Sequence, residues 1–380
     1  MSKGDRRPAE SRVFTDPHTG VRVRQLTDYK GNSHHLYFTN PGWYAEDRRL
    51  VFVSDRDNQT NFFSLDLDDG TITQLTELDQ SQDTQGSLAA CLNPCRPELY
   101  FKLGITLCAL DLESLAVRQL WTVPDGHNMC IANVTADGRY VCTGALEKPS
   151  GRYPVDFQHG YIGFPEYCAE HPHCRVLRID VDSGAAETVW EEDSWIGHVN
   201  TSPTQPTWLT FCHEGPWDMV DNRIWGLSLD DGRVWQIRPR TGKERIGHEY
   251  WLADGRRLGY HGTTADGELF GTVDFDGSHI DERPMARHSN HFFSLDETLV
   301  VGDGSSGDPW LYLWRRGAER YEGPRRVVRH RCSMHSQDVH VHPRFSPDGA
   351  SVLYTSDHSG YGNVYLADVP AFDDLPSDAS

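Results

Sequence analysis

The stretch Met334–Gly349, MHSQDVHVHPRFSPDG, crowds Gln337, His340 and His342 just ahead of a Ser-Pro-Asp-Gly turn. Read as a β-strand, it points residues two apart to the same face, so His340 and His342 project together. Gln337 lies three residues earlier, where the chain can curl back and bring its amide oxygen alongside. Two imidazoles and one neutral oxygen suit a borderline or harder divalent cation such as Mn²⁺, Zn²⁺ or Ni²⁺, with geometry deciding which. The bland alternative is three polar residues satisfied locally. A further ligand from elsewhere in the chain separates the two.

Other histidines recur at a matching offset. His248 stands six residues before Asp254 in GHEYWLADG, His342 six before Asp348, and His198 six before Thr204. The segment RHSNHFFSLDE offers both His291 and His288, either of which completes a cation site with His340 and His342. Phe211–Trp225, FCHEGPWDMVDNRIW, adds His213, Glu214 and Arg223. An arginine there is either a bidentate clamp on a carboxylate or a surface residue with a buried stem.

Something must hold these groups at one depth, and the sequence repeats supply it. SLDLDDG at Ser64, ALDLESL at Ala109, RIDVDSG at Arg178 and GLSLDDG at Gly226 are one theme, an alternating strand running into an Asp/Gly turn. Their steps are 45, 69 and 48 residues, and an insertion over about 147–174 accounts for the long one. Between them fall hairpin signals, TADGRYV at Thr135, LADGRRLGY at Leu252, SLDETLVV at Ser294 and SPDGASVLY at Ser346. One small sheet per repeat predicts an all-β, seven-bladed β-propeller forming a single domain over residues 1–380. Its last repeat stops after YLADV. Val21–Asp28, VRVRQLTD, resembles the outer strand TITQLTE and is expected to pair into that last blade and close the ring, removing two sheet edges. Innermost strands of a propeller line its channel, which would place the histidines at one mouth, under the insertion.

Bulk composition narrows the function. The 380 residues carry a net charge of −20, which argues against a nucleic-acid partner and would repel a polyanion unless the site is locally positive. No run approaches the roughly 18 uncharged apolar residues of a membrane span. MSKGDRRPAESRVF lacks an apolar signal region. Nine scattered cysteines, without paired zinc spacings, read as reduced packing thiols in the cytoplasm.

Together, HEGPWDMVDNRIW, GHEYWLADG, HFFSLDETLVVGDG and QDVHVHPRFSPDG resemble the oligogalacturonate lyases (polysaccharide lyase family 22), collinearly over essentially the whole chain. The resemblance implies a seven-bladed propeller holding Mn²⁺, or another divalent ion, on His291, Gln337, His340 and His342. It implies His248 as catalytic base and Arg223 as the arginine assisting it. The implied reaction is β-elimination on short α-1,4-linked oligogalacturonates, at the level of the disaccharide, in pectin degradation. The substrate is then a small acidic oligosaccharide, with His198 and His213 as candidate contacts. SHHLYF places His35 where a more basic substrate-facing residue is expected.

That chemistry is coherent on its own terms. The C5 proton of a uronate is weakly acidic because its neighbour is already an anion. A cation and a guanidinium on that carboxylate offset the added charge. A neutral imidazole takes the proton near neutral pH, and the C4–O bond breaks to give a 4,5-unsaturated uronate. Departures from the family pattern touch the substrate more than the reaction: the hairpin HFFSLDET is one residue tighter, and the insertion has its own composition. A relative acting on another uronate-containing oligosaccharide is therefore an alternative. So is a partner-binding propeller without catalysis. The propeller half of a serine peptidase would need a Gly-x-Ser-x-Gly elbow and a second domain, and GDGSSGD at Gly302 supplies neither.

Overall fold

A computed structural model describes residues 2–84 and 87–378. These fold into seven small antiparallel sheets, the blades of a seven-bladed β-propeller. In chain order their central hairpins are Arg49–Ser54 with Asn61–Asp66, Glu98–Leu103 with Thr106–Asp111, Tyr140–Glu147 with Cys174–Asp180, Trp208–His213 with Ile224–Ser228, Arg257–Thr264 with Gly267–Asp274, Leu299–Gly302 with Leu311–Arg316, and Ser351–Ser356 with Asn363–Asp368. Packing divides the chain into two compact units. One comprises Met1–Gln80, Asp266–Phe270 and Glu282–Ser380 and holds the first, sixth and seventh sheets. The other comprises Ser81–Ala265 and Gly271–Asp281 and holds the second, third and fourth, while residues of the fifth are shared.

Both repeat signals have a physical cause. In the outer turns, Asp111 Oδ1 accepts from the amides of Glu113 and Ser114, and Asp180 Oδ1 from those of Asp182 and Ser183. In the inner hairpins, Asp137, Asp254 and Asp348 each accept from the amide two residues on. A short carboxylate thus mimics a backbone turn at each corner, which is why Asp recurs there.

The central strands are apolar on both faces where neighbouring sheets of the same unit cover them. In the first unit, Phe52, Phe63, Leu50 and Ile72 of the first sheet pack with Leu353, Val364 and Leu366 of the seventh. In the second, Cys142, Cys174 and Val176 pack with Ile196, Val199, Leu209, Phe211 and Leu227. A fully buried phenylalanine such as Phe52 or Phe63 contributes about 2–3 kcal/mol relative to an exposed one.

The expected closure is present. Arg22–Gln25 pairs antiparallel with Asn363–Asp368, Val23 opposite Ala367, and Arg12–Thr15 adds a fifth strand outside it. A feature absent from the sequence reading is Arg6–Arg7, which pairs with Ile72–Gln74 on the first sheet. The insertion connects Glu147 to Cys174 and carries the helix Phe164–Ala169. Its aromatic side chains pack on the fourth sheet's entry: the rings of Phe157, Phe164 and Tyr167 lie 5.2, 4.8 and 4.6 Å from that of Trp195, which directly precedes the strand Ile196–Thr201.

Candidate functional site

One strand assignment fails. Residues 340–343 lie outside any strand: Gln337–Val339 is a 3₁₀ turn, and regular pairing begins only at Arg344. The reason is geometric. Alternate residues of a flat strand stand roughly 6.6–6.8 Å apart along it, and a curl draws their rings closer. Here His342 takes a left-handed φ of 46° and the chain curls, bringing its ring centroid to 5.5 Å from that of His340.

The curl builds a cluster with His291, which directly precedes the strand Phe292–Phe293. Ring nitrogens of His291, His340 and His342 lie within 4.8 Å of one another. His291 and His342 are buried, against Phe38 and Tyr37. His288 is elsewhere: its ring is exposed and faces Glu268 at 3.3 Å, so His291 is the residue that joins the cluster. Gln337 opens the 3₁₀ turn, and its carbonyl accepts from the amide of His340 at 3.2 Å.

Two features suit this cluster to a divalent ion. Burial, with His291 next in effect, pushes the pKa of His340 down to about 4, so that ring is neutral at pH 7 and free to ligate. Its Nδ1 is buried without a hydrogen-bond partner, which is costly unless something else occupies the lone pair. His291 is oriented from behind: its Nδ1 lies 2.7 Å from Asp303 Oδ2, while Asp303 Oδ1 accepts from the His291 amide and Ser289 Oγ. Asp303 is fully buried. A carboxylate behind an imidazole is the usual support of a metal-ligating histidine.

His35 does not point at open space. It is buried, and burial pushes its pKa down to about 4. Its Nε2 sits 3.2 Å from the carbonyl of Val341, between the two histidines of the curl, and the same carbonyl accepts from the Thr355 amide. This geometry braces the loop.

The second unit holds the other candidates. His198 and His248 both sit at β-bulges. Gly197 pairs with Cys212 and Asn200 with Thr210, leaving His198 and Val199 opposite Phe211 alone; Gly247 pairs with His261 and Tyr250 with Gly259, leaving His248 and Glu249 opposite Tyr260. The bulged histidines have φ of 46° and 50°, matching His342. So the six-residue offset recorded a real equivalence, a left-handed residue just before each hairpin. Such a conformation in a residue other than glycine costs about 1–2 kcal/mol, and strain of this kind gathers at functional sites. Its effect is visible at once. Consecutive residues of a strand point apart, yet His248 and Glu249 both reach His198, by ring stacking at 6.4 Å and by a 3.3 Å approach to Nδ1.

Arg223 is buried and held rigidly. Its Nη1 donates to Glu214 at 2.8 Å, its Nε to Glu249 at 3.3 Å, and its Nη2 faces His198 Nδ1 at 3.4 Å. Glu249 is wholly buried. Burial alone would raise its pKa; Arg223 foremost, then His198, bring it down to about 2. The partly exposed ring of Trp217 lies 5.9 Å from the guanidinium. The insertion reaches this loop: Cys168 Sγ contacts the Glu214 carbonyl at 3.8 Å, and a side chain on Gly215 would strike that sulfur.

His213 has both nitrogens engaged, with Asp221 at 2.6 Å and Glu192 at 2.8 Å. Burial opposes its charge, but the two carboxylates outweigh it and raise its pKa. It ties the end of the strand Ala186–Glu192 to the loop that carries Asp221. Sequence reasoning missed Asp303, Glu249 and His261. Their only signal is strand register: Asp303 follows the strand paired with Phe292–Phe293, and His261 lies directly opposite Gly247.

Fold and side-chain chemistry together define a β-propeller furnished with a cation-ready histidine cluster and a buried arginine–carboxylate network. A family model described as oligogalacturonate lyase matches residues 1–372. The chain belongs to the oligogalacturonate lyase family and is thereby an enzyme, a lyase. It is 30% identical to an oligogalacturonide lyase of Pectobacterium atrosepticum and 29% to an oligogalacturonate lyase of Dickeya dadantii, covering 97% of this chain and 99% of each relative. A solved structure of an oligogalacturonate lyase in complex with manganese superposes with a TM-score of 0.87 at 28% identity, covering 97% of this chain and 99% of that one.

Proposed function

We propose that this enzyme is a Mn²⁺-dependent lyase that cleaves short α-1,4-linked oligogalacturonates, down to digalacturonate, by β-elimination. The observation that carries the reading is the convergence of His291, His340 and His342; we assign Gln337 as the oxygen ligand. A bound divalent cation there supplies Lewis acidity toward a uronate carboxylate.

This chain's own residues do the rest. Arg223, its orientation fixed by Glu214 and Glu249, presents donors where negative charge grows. His248 accepts the C5 proton. The electron pair of that C–H bond becomes the C4–C5 double bond, and the C4–O bond leaves with its own pair, yielding a 4,5-unsaturated uronate. His198, between Arg223 and His248, holds the two in register. We assign His35 and His213 to bracing, on the contacts given above. The nine free cysteines, six of them buried, favour a reducing compartment, the cytoplasm. Among the described residues no helix is long and apolar enough to cross a membrane.

The test is a panel of uronate oligomers followed by the ultraviolet absorbance of the unsaturated product. Digalacturonate should give the strongest signal, chelation should abolish it, and added Mn²⁺ should restore it. A signal only with a different uronate would replace the substrate. No unsaturated product from any would end the reading.

A further inference from the structure

Strand register places a second imidazole behind the proposed base. His261 Nε2 lies 2.9 Å from His248 Nδ1, and the rings are 5.1 Å apart and 28° from parallel. In an undistorted pair His248 would point away from His261, because His261 is directly opposite Gly247 and neighbours alternate faces. The bulge and the left-handed φ of His248 undo that alternation. Gly247 marks the face they share: a side chain on it would meet Trp217 and come within 3.8 Å of Arg223 Nε. His261 is buried, so its ring is held by packing.

Two imidazole nitrogens at 2.9 Å share one proton, and which ring owns it fixes both tautomers. We propose that His261 is the positioning residue of a two-imidazole base. His248 donates its Nδ1 proton to His261 Nε2, which leaves His248 Nε2 as the unprotonated nitrogen. When His248 Nε2 takes the substrate proton, the proton already on Nδ1 moves toward His261, and the new charge is spread over two rings. Beside the pair, His198 stacks on His248 at 6.4 Å and is itself met by Arg223, Glu249 and Glu214. They form the fixed field in which the shared proton sits. This inference rests on His248 being the base.

The experiment compares Mn²⁺-loaded wild type with His261→Phe and His261→Gln. His261→Phe should lower kcat by about 10–100-fold with KM within about twofold, and should move the acidic limb of the kcat/KM pH profile. His261→Gln, whose amide oxygen accepts the Nδ1 proton, should recover most of the rate. If His261→Phe fails to fold, His261→Asn, too short to reach Nδ1, is read the same way. Wild-type kcat and an unmoved profile in these variants overturn the inference. Full turnover in His248→Ala overturns the assignment of the base instead, so the two failures are distinct.

Discussion

Asp303 and His291 form a buried couple, carboxylate to Nδ1 at 2.7 Å, that fixes an imidazole whose ring stands 5.5 Å from that of His340 and 4.5 Å from that of His342. Burial disfavours the Asp303 anion, but His291 outweighs it and lowers the carboxyl pKa. Asp303→Asn keeps the volume and loses the charge. Manganese affinity should fall by about 10–100-fold, measured by titrating chelator-treated protein. Unchanged affinity would show that packing alone orients His291.

Arg223 and Glu249 separate stability from catalysis. Arg223→Ala leaves Glu249 charged in a site with no exposure, a loss of about 3–5 kcal/mol in denaturant unfolding. Arg223→Lys should recover much of that, since charge is restored. It should not recover turnover, because an ammonium cannot hold the forked geometry. A fully active lysine variant would rule out the guanidinium's special part.

Acid should weaken the fold well before carboxylates titrate. His35 and His330 are buried neutral with pKa values of about 4, against about 6.5 in an unfolded chain. Their contribution is complete above about pH 6.5, falls as pH drops through that window, and levels off below about 4. By pH 5 each costs roughly 2 kcal/mol. His213, with a raised pKa, acts in the opposite sense. The difference between wild type and His35→Gln isolates one group: the variant should lose less stability between pH 7.5 and 5, and parallel curves would refute the assignment.

Removing residues 1–28 should cost the first unit its integrity. Val21, Val23 and Leu26 are buried, together about 4–9 kcal/mol of burial, comparable to a whole domain's stability. The deletion also bares Asn363–Asp368 as an open edge. Aggregation on size exclusion is expected; a monodisperse, active product would contradict it.

Much of this was legible in advance because it depends on local chemistry. Asp at each corner, apolar runs between corners and the likeness of VRVRQLTD to TITQLTE specify small paired sheets whatever lies beyond them. The histidine offset was also legible, though not its cause: His198, His248 and His342 share a left-handed backbone that no propensity signals. The strand reading of His340 and His342 failed for the same reason, since a curl costs strain that only a packed surrounding can hold.

The sequence by itself determined the residue types and their periodic placement: which imidazoles recur at one offset, and that one sheet follows another. Tertiary structure alone decided the partners. That His291 and not His288 joins the cluster, that Asp303 stands behind it, that His261 backs His248 and that Glu249 locks Arg223 all depend on register and on which groups lose contact with water. Hydrogen bonds act over about 3 Å, and burial sets their strength; neither distance nor burial is written along the chain.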